Sequence, residues 1–281
     1  MSATTEAKPV AEQQVQQFTI QKLSRDLRAA AKLMGVHEAR YFVNTYYDLQ
    51  DYRIASANQQ RKLQEGQEPS EFMTWLNSNL EVLEFQIRGM LDKWSSAQPM
   101  GVWARNITGI GPVIASGLLA NIDITKCPSV GHIWRFAGLD PTVKWNRHEK
   151  RPWNASLKRL CWLMGESFVK VSGNTKDIYG KLYLERKAYE AKRNDAGELA
   201  DQAKRRLEED KAKKLDPELR AMFATGKLPQ KALHERAKRW AVKLFLAHWF
   251  EEAYRQHYDQ EPPLPYPIAH LGHVHRKSAA K

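Results

Sequence analysis

Apolar residues recur at helical spacing from Phe18 to about Leu33, and again from His37 to about Leu63. In the second segment Ala39, Phe42, Tyr46 and Leu49 share one side. The run Glu65-Gly66-Gln67-Glu68-Pro69 breaks this periodicity, and Ser70 is a good cap for a new helix. Met73, Leu76, Leu80, Leu83, Ile87, Met90 and Trp94 follow at alternating steps of three and four. That seam predicts a coiled-coil-like pairing, either with the preceding helix or with another chain. Further helices are predicted over about 99–106, from Pro112 to about Asn121, from Ser129 to Ala137-Gly138, from Asn154 through Leu157, Leu160, Leu163 and Met164, and from about Gln230 to Tyr258. The last has a stripe of Leu233, Ala237, Trp240, Leu244 and Ala247. Residues 176–214 read as a charged, solvated helical stretch. No run alternates with period two, so the expected class is all-α. A loose tail (1–15) precedes a long-helix, coiled-coil-like arm (16–97). A helical domain (98–260) with a charged insertion near 185–226 comes next, then a flexible tail (261–281).

Between two of these helices stands Ile107-Thr108-Gly109-Ile110-Gly111-Pro112-Val113-Ile114-Ala115. Two glycines one residue apart allow a tight turn, and Pro112 suits a first helical position. The pattern is that of a helix-hairpin-helix turn, whose outward amides beside a helix N-terminus can hold a phosphate. Thr108, Gly109, Ile110, Gly111 and Val113 are the candidate backbone contacts. A plain corner between two packed helices explains the same glycines.

Charge alters that balance. The 281 residues carry a formal net charge of +12, with 44 Lys+Arg against 32 Asp+Glu. Residues 1–100 hold 11 basic and 12 acidic side chains, so the whole excess lies in 101–281. Such asymmetry points to a polyanionic partner. Lys144, Arg147, Lys150 and Arg151, with His148, crowd residues 140–153, interleaved with Trp145 and Trp153. Those indoles either stack on exposed bases or pack against the hairpin. Lys158 and Arg159 follow, and Lys231, Arg236, Lys238, Arg239 and Lys243 lie off the stripe of the final helix. Lys158, Arg159, Lys238, Arg239 and Lys243 complete the candidate nucleic-acid contacts. No apolar run is long enough to span a bilayer, and no lipidation motif or signal-peptide core is found. No membrane partner is expected, and the expected location is the cytoplasm, with the nucleoid. Cys127 and Cys161 stand far apart, outside any paired motif, which suits free thiols.

Gly109, Gly111, Pro112 and Ala115 are followed by Ser129, Ile133, Gly138, Leu139 and Pro141, then Asn154, Leu157 and Lys158. This order resembles the C-terminal domain of the insertion-sequence one-ten family of transposases. Farther on, the stretch beginning Ile178-Tyr179-Gly180 resembles that family's Tyr-rich helix. Lys243-Leu244 matches its closing helix. The resemblance covers about 104–255 and implies DNA as the main partner, with structured RNA also possible. It implies an enzyme built from an N-terminal nuclease-like domain with four acidic residues and a nucleophilic serine in the C-terminal domain. At the place of that serine this chain has Trp145, and residues 1–100 show no acidic nuclease motif; they resemble the family's connecting arm.

Strand cleavage needs an activated hydroxyl or converging carboxylates with a metal. Ser129 reads as a helix cap, and Ser116 and Ser156 as helix-surface or packing residues, so no catalytic residue is assigned. His270, His273 and His275 lack an obvious fourth ligand; no metal site and no cofactor are expected. The expected protein is therefore a DNA-binding, transposase-like protein of a mobile element or phage, dimeric through its arm and without autonomous cleavage. The alternatives are an active recombinase whose active site is non-standard or supplied by a partner, and a helical interaction scaffold.

Overall fold

The computed structural model describes residues 22–66, 70–146, 148–208 and 215–264. The expected tail at 1–15, the helix start at Phe18, Gln67 to Pro69, Arg147 and the tail histidines lie outside them. Among the described residues there are eleven α-helices and no strand. They are α1 (Arg25–Ala30), α2 (Val36–Glu65), α3 (Glu71–Ser96), α4 (Pro99–Arg105), α5 (Pro112–Asn121), α6 (Val130–Phe136), α7 (Ala155–Val171), α8 (Tyr179–Asp195), α9 (Ala200–Glu208), α10 (Pro217–Ala224) and α11 (Gln230–Tyr258). The fold is all-α.

Ser70 opens α3 by accepting a hydrogen bond from the Met73 amide at 3.4 Å. Arg53 on α2 pairs with Glu84 on α3 at 2.6 Å, and Gln60 donates to Thr74 at 2.7 Å. Rising numbers on one helix thus meet falling numbers on the other, so α2 and α3 run antiparallel within one chain. The seam is buried where the arm joins the rest (Ile87, Met90, Trp94), while Met73, Leu76 and Leu80 remain partly or largely exposed at its far end. On α2 the buried centre is Val43 and Tyr47; Phe42 and Tyr46 flank it.

α5 packs against α2, α3 and α7. Its small residues let these helices approach: a Cβ on Gly117 would lie 2.6 Å from the Leu160 side chain. Buried Ser116 donates to the Leu91 carbonyl at 3.0 Å, a packing role.

α11 is buried on several sides at once. Ala237, Ala241, Phe245 and Trp249 are covered, and so are Val242, Leu246 and Phe250. It touches α4, α6, α7 and α8. Trp240 and Leu244, expected in its buried stripe, sit only at the edge.

The expectation of a solvated stretch over 176–214 fails for α8. Tyr179 and Tyr183 are buried against α11, and their hydroxyls share 2.7 Å hydrogen bonds with Nδ1 of His248 and His234. Glu190, 1% exposed, is neutralised by Arg186 at 2.5 Å and Arg236 at 3.1 Å. These pairs bury a charged-looking sequence at low cost. A second small core joins Ala203 of α9 and Phe223 of α10 to Leu199, Leu228 and, on α11, Leu233. No helix among the described residues is long and apolar enough to cross a membrane.

Candidate nucleic-acid interface

The turn between α4 and α5 is stitched down on one side and open on the other. Gly109 has φ +95°, a left-handed conformation that favours glycine. A Cβ there would meet Val171, Phe168 and Ser167 at 3.2–3.4 Å. The Ser167 hydroxyl donates to the Gly109 carbonyl at 2.6 Å, and the Thr108 hydroxyl donates to the Lys176 carbonyl at 3.4 Å. Ile110 is buried, and its amide donates to the Ile107 carbonyl at 3.0 Å. That amide is therefore committed within the turn, unlike the outward amide the sequence pattern suggests. Gly111 is extended, with open space at its missing Cβ, and α5 begins there without a side-chain cap. Val113 is buried as a side chain but lies in that uncapped first turn.

The cations are held elsewhere. Gly138, with φ +66°, ends α6, and the Trp153 ring and the Lys158 stem cover it. Asp140 then turns the chain by accepting from the Thr142 amide at 2.9 Å and its hydroxyl at 2.7 Å, bonds that hold this carboxyl below its usual range. The Trp145 Nε1–H donates to the Glu149 carbonyl at 2.8 Å, while Asn146 donates to the Glu149 carboxylate. Arg151 lies 5.5 Å from the Trp145 ring centre, Lys158 lies 4.0 Å from that of Trp153, and the two indoles meet edge to face at 6.1 Å. Burial, followed by the nearby Arg151 and Arg239, pulls the Lys158 ammonium below its ordinary range. Half-buried Lys243 reaches over Trp134 at 4.2 Å, and the Trp134 Nε1–H donates to the Lys243 carbonyl.

α7 separates these two places. The hairpin leans on Ser167, Phe168 and Val171 near the C-terminal end of that helix, whereas Lys158 and the basic loop lie at its start. Nine residues at about 1.5 Å each put roughly 13 Å between Lys158 and Ser167 along the axis. The predicted cations do not ring the hairpin; they form a neighbouring aromatic and basic surface.

Not every predicted cation is available there. Lys144, Lys150, Arg151, Lys158 and Arg239 are exposed, and none forms an ion pair among the described residues. Arg159 instead bridges Asp48 and Asp51 on α2 at 3.2 and 2.5 Å. Lys238 is buried and bonded to Glu166 and, at 2.7 Å, to Glu235. Glu166, His234 and Glu235 bring ligand atoms within 4.8 Å of one another, but the Lys238 ammonium supplies the cation between the carboxylates. The Ser129 hydroxyl faces His132 Nδ1 at 3.0 Å and does not cap α6. Sequence reading overlooked Trp162, which is 53% exposed on α7 with Lys238 5.3 Å from its ring centre. A tryptophan four residues after Lys158 on a helix was the available signal.

Residues 104–175 match the family model of the transposase IS116/IS110/IS902 family. The chain is similar to this family over 72 of its 281 residues. No curated protein and no solved structure matches it. The matched segment runs from the end of α4 through the glycine turn, α5, α6, the basic loop and α7. Arg239 and Lys243 on α11 lie beyond it, yet Arg239 acts on Lys158 and Lys243 on Asp140, so this surface includes sequence outside the matched segment.

Proposed function

We propose that this is a DNA-binding, transposase-like protein of a mobile element or phage, acting in the cytoplasm on nucleoid DNA. The observation that carries this reading is the group Lys144, Lys150, Arg151, Lys158 and Arg239, exposed and without ion pairs among the described residues, on and beside the matched segment. Unpaired cations gathered on one surface repel one another in the free protein. A polyanion relieves that repulsion and releases its counterions, giving salt-sensitive, largely sequence-blind affinity. The uncapped start of α5 at Gly111 offers a second, more distant phosphate contact by its amides and helix dipole.

Strand cleavage is not assigned to this chain alone. Trp145 stands where the family's serine is expected, and an indole is no nucleophile. The arm is the proposed dimer contact, because Phe72 and Trp75 near its far end are 84% and 62% exposed. Filter retention of a labelled duplex by the full chain across a salt series tests the binding. Retention should fall steeply and linearly in logarithmic salt; retention that is absent at low salt overturns the proposal.

A further inference from the structure

We infer that the surface running from Trp145 and Arg151 through Lys158 to Trp162 and Arg239 takes an unpaired nucleic-acid strand, with bases stacked on the two indoles. This rests on the nucleic-acid reading above and narrows it to a class of ligand. Trp145 and Trp162 are 40% and 53% exposed, although indoles gain much by burial. Trp145 is also fixed before any ligand arrives. Its Nε1–H is bonded to the Glu149 carbonyl, Arg151 lies against its ring, and Trp153 abuts it at 6.1 Å. A platform held in this way loses little conformational freedom on binding.

Trp162 follows Lys158 by one helical turn, so an unpaired cation and an exposed ring share a face of α7. Arg239 extends the positive line from α11, close enough to depress the Lys158 ammonium. Exposed rings alternating with cations match a strand whose bases are free. A duplex hides its base faces within the stack and presents mainly phosphate and sugar to such rings. The cations alone would serve either polymer; the two exposed indoles favour the unpaired one.

The test uses the full chain with a 20-nucleotide DNA strand of mixed sequence and no self-pairing, the matching duplex, and an RNA strand of the same sequence. Trp162→Ala and Trp145→Ala should each weaken single-strand binding at least fivefold, while duplex affinity changes less than twofold. Trp162→Phe keeps a ring and should recover most of the loss. Binding of the strand should also quench tryptophan fluorescence in the wild type. A matching loss with RNA supports the inference equally, since stacking does not read the sugar. If the Ala variants bind strand and duplex as the wild type does, or lose both alike, the inference is overturned while backbone binding stands. If the wild type retains none of the three probes, both readings fall.

Discussion

The Ser167 hydroxyl holds the Gly109 carbonyl at 2.6 Å, joining the glycine turn to α7 across 58 positions of sequence. The two glycines of this turn therefore carry different burdens. Gly109 is left-handed and pressed by Phe168 and Val171, whereas Gly111 is extended and open. Gly109→Val is expected to cost about 1–3 kcal/mol through backbone strain and crowding. Gly111→Ala should cost less than about 1 kcal/mol. Thermal unfolding followed by circular dichroism will rank them, and equal losses would contradict the asymmetry described for the turn.

Lys158 and Arg159 are neighbours with opposite prospects. Lys158 is exposed and forms no ion pair among the described residues, while Arg159 is engaged with Asp48 and Asp51. Lys158→Gln should weaken DNA binding and reduce the slope of log affinity against log salt by about 0.9, the value for one phosphate contact. Arg159→Gln should leave the slope unchanged and alter stability by less than about 1 kcal/mol, as for exposed ion pairs. Salt titrations of both variants by fluorescence anisotropy separate the two outcomes.

Burial pushes the Cys161 thiol up to about 12, from an ordinary value near 9. The folded state therefore holds this proton more tightly than the unfolded chain. Its contribution to stability is complete below about pH 9 and declines as the pH rises toward 12. Buried Tyr47 and Tyr179, also raised by desolvation, act in the same direction. The urea midpoint should fall steadily above pH 9. At pH 8 Cys161 should resist a thiol reagent until the protein unfolds, with partly buried Cys127 reacting first. Prompt labelling of Cys161 in the native protein would contradict its burial.

If the arm makes a dimer, its exposed end is the place to break it. Phe72→Ser with Trp75→Ser should convert a concentration-dependent dimer into a monomer in sedimentation velocity, with helix content unchanged. Both residues lie outside the buried core, so the double variant should fold normally. A wild-type chain that sediments as a monomer at all concentrations removes the proposal.

Boundaries marked by Pro, Gly and capping residues were legible in the sequence. α5 starts at Pro112, α6 closes at Gly138, and α7 opens on Asn154, whose side chain accepts from the Leu157 amide. Packing at Lys238 and Glu190 was not legible, because their burial depends on partners distant in sequence such as Glu166 and Arg236. The extent of burial on α11 was hidden for another reason: a helix covered on several sides has no single stripe to read. The turn at 107–111 and the loop at 140–153 looked like parts of one grip. Only the course of α7 between them shows that they lie at its two ends.

The central place of α11 also governs the order in which the protein can mature. This helix is synthesised after every other described helix, yet Phe168 and Tyr179 use its Phe245 as their aromatic neighbour. A nascent chain halted before residue 230 leaves that groove unfilled and its greasy walls open to solvent. Core closure must therefore await translation of a late segment, and until then chaperones have a natural point of purchase.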